Sequence, residues 1–408
     1  MGIFVGINEV ANLVFTFAKA FRSLGFETYT VVLQKNLFYP ASSYDELLED
    51  RLKRFKGCSG LRARVQLVRA WIIFLSVFLK ALLTCHVFIF VWGGVSFLPK
   101  HLDYPLLKAL GKKLVVFFAG DDIRSWHAYK QEICLMGLEN EFKPYLQNRR
   151  SDAAEFFEKL QEAQVTERYA DLILTHPEVA QLLTRPYMRL WIPLDLTEFR
   201  FHLPDKEVPL VVHAPTNRLF KGTKHILDAV EQLRGEGIRF EFRLIERMPN
   251  DRLRTLLAEA DIVIDQLFQR AFGTLAVESM ASGCVVLTNY DSSFGHFDYD
   301  CPAVKVSMST LTDQLRRTIL DRRLRRRLGY AGRRYVEKHH DQNRIAQQIL
   351  GYLAPAGINE YDFIPTFLHE HFVMPRELEE EAKRRRERGT TRTLIQLYRT
   401  LINWPLNL

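Results

Sequence analysis

Apolar residues 3–6 open the chain, and from Val10 to Leu24 apolar positions recur at helical spacing until Gly25 closes the segment. Glu27 to Leu33 then reads as a second strand. Strand, helix and strand within about 30 residues make a βαβ unit, whose right-handed crossover implies a parallel sheet. The rhythm returns further on. Cys85 to Trp92 reads as a buried strand ended by Gly93-Gly94, Leu106 to Leu110 as helical, and Lys113 to Phe118 as a strand ended by Gly120-Asp121-Asp122. Asp171 to Thr175 is a further strand, and His176-Pro177 is expected to open a helix, because proline is tolerated in a first helical turn.

Past Trp191-Ile192-Pro193-Leu194 the pattern turns polar, and residues 195–207 read as a linker. The alternation then restarts: strands at 208–213, 239–245, 261–265 and 284–288, with helices at 223–234, 251–258 and 274–281 between them. A helix near Leu315 to Leu353 closes this second series. The expected fold class is therefore α/β, with two doubly wound parallel sheets. The expected domains are residues 1–200 and 201–353, followed by a helical appendage at 354–408. In such sheets ligands bind at loops on the carboxyl ends of the strands.

Composition narrows this only slightly. A chain of 408 residues fits two domains, and 47% hydrophobic with 25% charged residues is ordinary globular usage without extended disorder. Cys58, Cys85, Cys134, Cys284 and Cys301 are scattered without a CxxC pair, so neither a disulfide framework nor a zinc site is indicated. Met1 to Gly6 has none of the features of an export signal. A reducing, cytoplasmic setting is expected.

The net charge of +8 favours an anionic partner. No nucleic-acid-reading motif accompanies it, and the basic stretch Arg322 to Arg334 reads as a solvated helix face, so nucleic acid is not expected. More telling is that no Asp or Glu occurs from Arg51 to Leu102, while Arg51, Lys53, Arg54, Lys56, Arg62, Arg64 and Arg69 lead into the apolar run Trp71 to Leu83. That run is too short to span a membrane, and Lys80 interrupts it. Residues 51–83 have the composition of a helix lying on anionic lipid, at the inner face of a plasma membrane, and equally that of a buried helix beside a solvated basic loop. In the tail, Thr391 to Trp404 places Leu394, Leu397, Tyr398, Leu401 and Ile402 on one side, which suits an interfacial helix or one packed on the protein itself.

Two loops carry the candidate chemistry. His213 to Thr223 (HAPTNRLFKGT) joins a strand to a helix start, where unpaired N–H groups and the positive end of the helix dipole favour phosphate. Arg218 and Lys221 add positive charge, Gly222 permits close backbone approach, and Thr223 is positioned as an N-cap whose hydroxyl can also meet an oxygen. Cations placed where a diphosphate departs stabilise the transition state more than the ground state. The bland reading is two solvated basic residues. The second loop runs from Phe272, Gly273 and Thr274 into a helix containing Glu278 among apolar neighbours. A carboxylate there needs donors, which two ribose hydroxyls would supply, as would an internal ion pair.

The order PTNRLFKGT, helix, FRLIE, helix, ADIVIDQL, FGTLAVESMASGCVV resembles the donor domain of GT-B glycosyltransferases, particularly the retaining family 4 group, also called glycosyl transferases group 1. The likeness runs over about residues 208–345 and extends more loosely through Gly120 to Arg124. It implies two Rossmann-like domains facing a central cleft. It also implies a nucleotide diphosphate sugar as donor, a glycan or lipid-linked acceptor, transfer with retention, and no metal or other cofactor. Arg218 and Lys221 then hold the diphosphate and assist catalysis, Gly273 and Thr274 line it, and Glu278 meets the ribose. Gly222, Thr223, Glu246, Asp265, Gln266 and Phe272 complete the donor side.

The family usually has a second Glu eight positions before Glu278, contacting the sugar; here Arg270 stands there. Arg270 fits either a negatively charged substrate or a site that binds without turnover, and Asp265-Gln266 offers substitute polar contacts. In the family the leaving diphosphate helps deprotonate the acceptor, so the N-terminal domain supplies shape and hydrogen bonds. Gly6, Asn8, His101, Asp121, Asp122 and Arg124 are the acceptor-side candidates, although His101, with nothing adjacent to orient it, reads more readily as a surface histidine. His339-His340-Asp341 is set aside as a metal cluster because adjacent side chains face different sides of a helix. A nucleotide-sugar epimerase uses the same plan and is the rival enzyme. Replacing Lys221 by Ala is expected to abolish turnover and leave folding intact.

Overall fold

The computed structural model describes residues 1–40, 42–52, 60–148, 153–290, 300–365, 368 and 372–387. The chain divides into two compact units: Met1–Asn36, Ser42–Leu190 and Ile349–Leu408 form the first, Leu37–Ala41 and Trp191–Gln348 the second. The division thus falls at Trp191, and the polar stretch 195–207 lies within the second unit. The described residues after 348 fall within the first unit.

In the first unit the order is β1 (Gly2–Ile7), α1 (Leu13–Ser23), β2 (Glu27–Val32), β3 (Glu46–Leu47), α2 (Leu48–Leu52), α3 (Gly60–Thr84), β4 (Val87–Val91), α4 (Asp103–Ala109), β5 (Lys113–Phe117), α5 (Trp126–Leu135), α6 (Glu139–Asn148), α7 (Ala153–Tyr169), β6 (Leu172–Thr175) and β7 (Met188–Arg189). All seven strands are parallel, in the order β3-β2-β1-β4-β5-β6-β7. Strand alternation sends Phe4, Phe88 and Phe90 to one face, where Phe97 packs on Phe4 at 5.0 Å and on Phe78 of α3 at 4.7 Å. Phe117 points to the other face, onto Phe17 of α1 at 4.8 Å. Each such ring, fully buried, contributes about 2 kcal/mol. His176-Pro177 opens a turn, not a helix: residues 177–179 are turn, and the chain runs on to β7 without a helical segment.

The second unit runs β8 (Leu210–His213), α8 (Arg218–Lys221), α9 (Thr223–Gly235), β9 (Glu241–Leu244), α10 (Asn250–Leu257), β10 (Ile262–Ile264), α11 (Thr274–Ser282), β11 (Val285–Thr288), β12 (Val304–Lys305), α12 (Leu311–Leu320) and α13 (Arg322–His339). Its strands are parallel in the order β12-β11-β10-β8-β9. The direction of strand succession reverses between β8 and β10, which is where a doubly wound sheet opens its ligand crevice. The single helix expected near 315–353 is three helices, α12, α13 and α14 (Gln342–Tyr352), the last crossing into the first unit. Asp321 breaks the run by accepting from Leu324 N at 2.8 Å, and Asp341 does the same for Arg344 N at 2.9 Å.

α13 is not wholly the solvated face expected of it. Arg325 is buried and donates to the carbonyls of Pro204, Thr318, Ile319 and Lys206, tying the polar stretch before β8 to the helix layer. α15 (Arg376–Glu387) packs back on the first unit: Glu377 meets His127 at 2.8 Å, and Arg385 lies over Phe157 at 4.9 Å. The tail helix expected at 391–404 lies outside the described residues, as do Lys53, Arg54 and Lys56.

Candidate functional site

The loop after β8 and the loop after β10 meet at the strand reversal. After His213 the chain makes one helical turn, α8, capped by Asn217, whose Oδ1 accepts from Leu219 N and Phe220 N. Gly222 then takes φ +68°, a left-handed conformation that costs a residue with Cβ roughly 1–2 kcal/mol, and α9 starts from it. The structure therefore corrects the reading of Thr223 as a cap. Thr223 is buried, and its hydroxyl meets His213 Nε2 at 2.9 Å, while His213 Nδ1 lies 2.7 Å from Ile264 O. Burial lowers the His213 pKa to about 4, so the ring is neutral. Its Nδ1–H then donates to the carbonyl and Nε2 accepts from Thr223. This pair locks β8, β10 and α9 together beneath the loop.

Gly222 sets Lys221 inward. Its Nζ donates to Asp265 Oδ1 at 2.6 Å and to Gln266 Oε1 at 2.8 Å, at the end of β10. Asp265 is fully buried, and its other oxygen accepts from Gly273 N at 3.3 Å, at the N-terminus of α11. A Cβ on Gly273 would stand 3.2 Å from Lys221 Nζ and 3.1 Å from Asp265 Oδ2, close enough that both side chains would have to give by a few tenths of an ångström. Lys221, Asp265, Gln266 and Gly273, proposed from two loops 44 residues apart, form one cluster. The ammonium stands beside the N-terminus of α11, a setting that favours an anion.

Arg218 is placed differently. Its side chain is 56% exposed and forms a two-pronged pair with Glu246, Nε to Oε1 at 2.7 Å and Nη2 to Oε2 at 2.6 Å. The pair holds the Glu246 carboxyl below its usual range and raises the guanidinium further. Arg218 is thus the outer, exposed charge and Lys221 the inner, buried one.

One turn along α11, Glu278 is buried and accepts from Asn250 Nδ2 at 2.8 Å. Burial pushes its pKa up to about 7, with the Asn250 amide pulling the other way. Thr274 and Glu278 share one side of the helix by their spacing. Sequence reasoning missed Asn250, because only the tertiary fold brings α10 against α11. The segment Leu37–Ala41, early in the chain, also joins this unit: Phe38 O accepts from Asn250 N at 2.8 Å. Phe272 packs on Tyr290 at 5.1 Å, and Arg270 is half-buried on the same loop.

The acceptor-side candidates lie in the first unit. Gly6 ends inside β1, tight against β2, and Asn8 follows the strand, at the reversal between β1 and β4. Asp122 is occupied by backbone: it accepts from Gly93 N and Gly120 N at 2.8 Å and from Ala119 N at 3.2 Å, joining the loops after β4 and β5. Burial raises its pKa to about 6. Arg124 is buried with its guanidinium over Tyr129 at 4.6 Å and Nε 3.8 Å from half-exposed Asp121. His101 is no surface histidine: it is buried, stacked on Tyr104 at 4.6 Å, and burial lowers its pKa to about 4. His340 Nδ1 lies 2.9 Å from Ile192 O, and His339 stacks on Trp191 at 4.7 Å. Among the described residues no group of His, Cys, Asp or Glu is arranged to hold a metal ion.

Residues 213–351 match the family model described as glycosyl transferase-like. No curated protein matches the chain in sequence. Among solved structures, sucrose-phosphate synthase from Thermosynechococcus elongatus is similar over 86% of this chain and 97% of its own, with a TM-score of 0.56 and 12% identity. Anabaena HepE, solved with UDP-glucose, aligns over 86% of this chain and 99% of its own, with a TM-score of 0.51 and 12% identity. A Listeria monocytogenes chain described as a UDP-N-acetylglucosamine 2-epimerase covers 89% of this chain and 99% of its own, with a TM-score of 0.51 and 14% identity. At these identities the likeness establishes the GT-B fold.

Proposed function

We propose that this chain, a GT-B glycosyltransferase whose residues 213–351 form a glycosyl transferase-like domain, moves a sugar from a nucleoside diphosphate sugar to a glycan or lipid-linked acceptor. The observation that carries the reading is the Lys221 ammonium beside the N-terminus of α11, at the strand reversal of the second sheet. A diphosphate there gains negative charge as the sugar bond breaks, and fixed positive charge next to it lowers the barrier. Lys221 and the α11 amides meet the inner phosphate, while Arg218 exchanges Glu246 for the outer one. Glu278 accepts the ribose hydroxyls in place of, or together with, the Asn250 amide. Cationic side chains and helix amides occupy the role a metal plays elsewhere, so the proposed reaction needs none, and it proceeds with retention. Arg270, where a sugar-binding carboxylate is usual, favours a donor or acceptor bearing negative charge. The setting is cytoplasmic, at the inner face of the plasma membrane.

UDP-glucose is the first donor to test, since HepE was solved with it. Arg218→Ala is the informative variant because its side chain is exposed and its removal leaves the fold intact. Transfer to an acceptor panel is expected to drop by about 100-fold in kcat/KM, with an unchanged thermal midpoint. An unchanged rate would remove Arg218 from the reaction. Incubation with donor alone separates the rival: interconversion of the sugar without acceptor would make the protein an epimerase. Binding without transfer or hydrolysis would make it a binding protein.

A further inference from the structure

α3 is apolar on two sides, and among the described residues only one of them is buried. Ala70, Phe74, Val77, Phe78 and Ala81 are buried, with Phe74 and Phe78 on Phe97 at 6.0 and 4.7 Å. A surface helix needs one such stripe facing the core and is polar opposite. Here the opposite side carries Val65, Val68, Ile72, Leu75, Leu79 and Leu83, exposed by 46, 57, 60, 42, 54 and 83%. Each lies three or four residues from the next, so they form one line about 27 Å long at 1.5 Å per residue. A single exposed leucine is unremarkable, whereas six in a row mark a surface that something covers.

Charge identifies what covers it. From Arg51 to Leu102 the sequence has no Asp or Glu, and α3 itself carries Arg62, Arg64, Arg69 and Lys80. The neighbouring carboxylate of Glu46 is held by Arg51 at 2.9 Å and faces Lys80 at 3.9 Å. A second copy laid along the stripe would bring arginine and lysine against arginine and lysine, without the opposite charges that flank paired helices. An anionic lipid surface supplies the missing sign. Among the described residues no helix is long and apolar enough to cross a membrane.

We propose that the outward stripe of α3 docks this protein on an anionic bilayer, the helix lying in the interface plane with its apolar side chains at the acyl boundary and its basic residues among headgroup phosphates. The sugar-transfer reading supplies the reason for being there; the docking itself rests on α3 alone.

The test uses the full chain and co-sedimentation with phosphatidylcholine vesicles, with and without phosphatidylglycerol. The wild type is expected to bind anionic vesicles at least about tenfold better than neutral ones, less so as salt rises. Ile72→Glu with Leu79→Glu is expected to lose at least about tenfold of that binding, with unchanged circular dichroism and an unchanged donor-induced thermal shift. If that pair does not fold, Ile72→Ser with Leu79→Ser replaces it, with a smaller loss of the same sign. Failure of the wild type to bind, or equal binding by a folded variant, overturns the proposal. So does light scattering that shows a dimer dissolved by the substitutions while vesicle binding persists. Loss of the donor-induced shift with vesicle binding intact would instead count against the donor site.

Discussion

Lys221 is a buried ammonium with two side-chain acceptors, whereas Arg218 is an exposed guanidinium with one, and the two respond differently to substitution. Lys221→Ala is not the folding-neutral change that the sequence leads one to expect, because it strands the fully buried Asp265 carboxylate. Removing one partner of such a pair costs about 3–5 kcal/mol. Asp265→Asn probes the same pair from the other side. It leaves Lys221 uncompensated and turns an acceptor of the Gly273 amide into a donor. We expect a loss of about 3 kcal/mol in urea unfolding, and a larger stabilisation by nucleoside diphosphate than in the wild type, since the ligand then supplies the missing charge. An equal or smaller ligand shift would mean that Asp265 does not stand where the phosphate charge acts. The sequence identified Lys221, Asp265 and Gly273 as separate candidates. Their pairing was not legible, because it depends on two loops folding onto one crevice.

At the scale of elements, Gly222 sets the course of the loop that carries Lys221. It ends α8 and begins α9 at φ +68°, and a Cβ there would meet Leu267 at 3.0 Å. Gly222→Ala is expected to cost about 1–2 kcal/mol of stability and to lower kcat/KM by more than the lost stability accounts for, because the turn carrying Lys221 shifts against α11. Denaturant unfolding and steady-state kinetics on one preparation check both; an unaltered kcat/KM would show that the turn's aim is immaterial. The strands of the second unit and α11 were legible from apolar runs closed by glycine. The long helix expected at 315–353 hid two caps, Asp321 and Asp341, whose role appears only once their side chains bond the next helix. His176-Pro177 misled because proline permits a helix start without requiring one.

For the molecule as a whole, burial of titratable groups sets the response to pH. Glu9, Asp103 and Glu278 are pushed up to about 7, Glu162 to about 8 and Asp122 to about 6, chiefly by desolvation. The folded state holds these protons more tightly than the unfolded chain, so each carboxyl's contribution is whole below the unfolded pKa of about 4 and is lost progressively as pH rises to and through the folded pKa. His101 and His213, lowered to about 4, act oppositely between that value and about 6.5, where the unfolded chain binds protons that the folded one refuses. Above about 6.5 only the carboxyls remain in play. Stability is therefore expected to fall from pH 6.5 to 8.5, by on the order of 1 kcal/mol per group, and the calorimetric midpoint with it, and Glu278→Gln is expected to flatten part of that slope. A midpoint that rises over this range would contradict the assigned burial. The sequence by itself determined the two parallel sheets, the two loops that carry the candidate site and the one-signed charge around α3, because periodicity and residue type are local properties. Tertiary structure alone decided that Lys221 pairs with Asp265, that Asn250 holds Glu278, that His101 is interior and that α3 keeps an apolar side outward, because each depends on which distant surfaces are buried against one another.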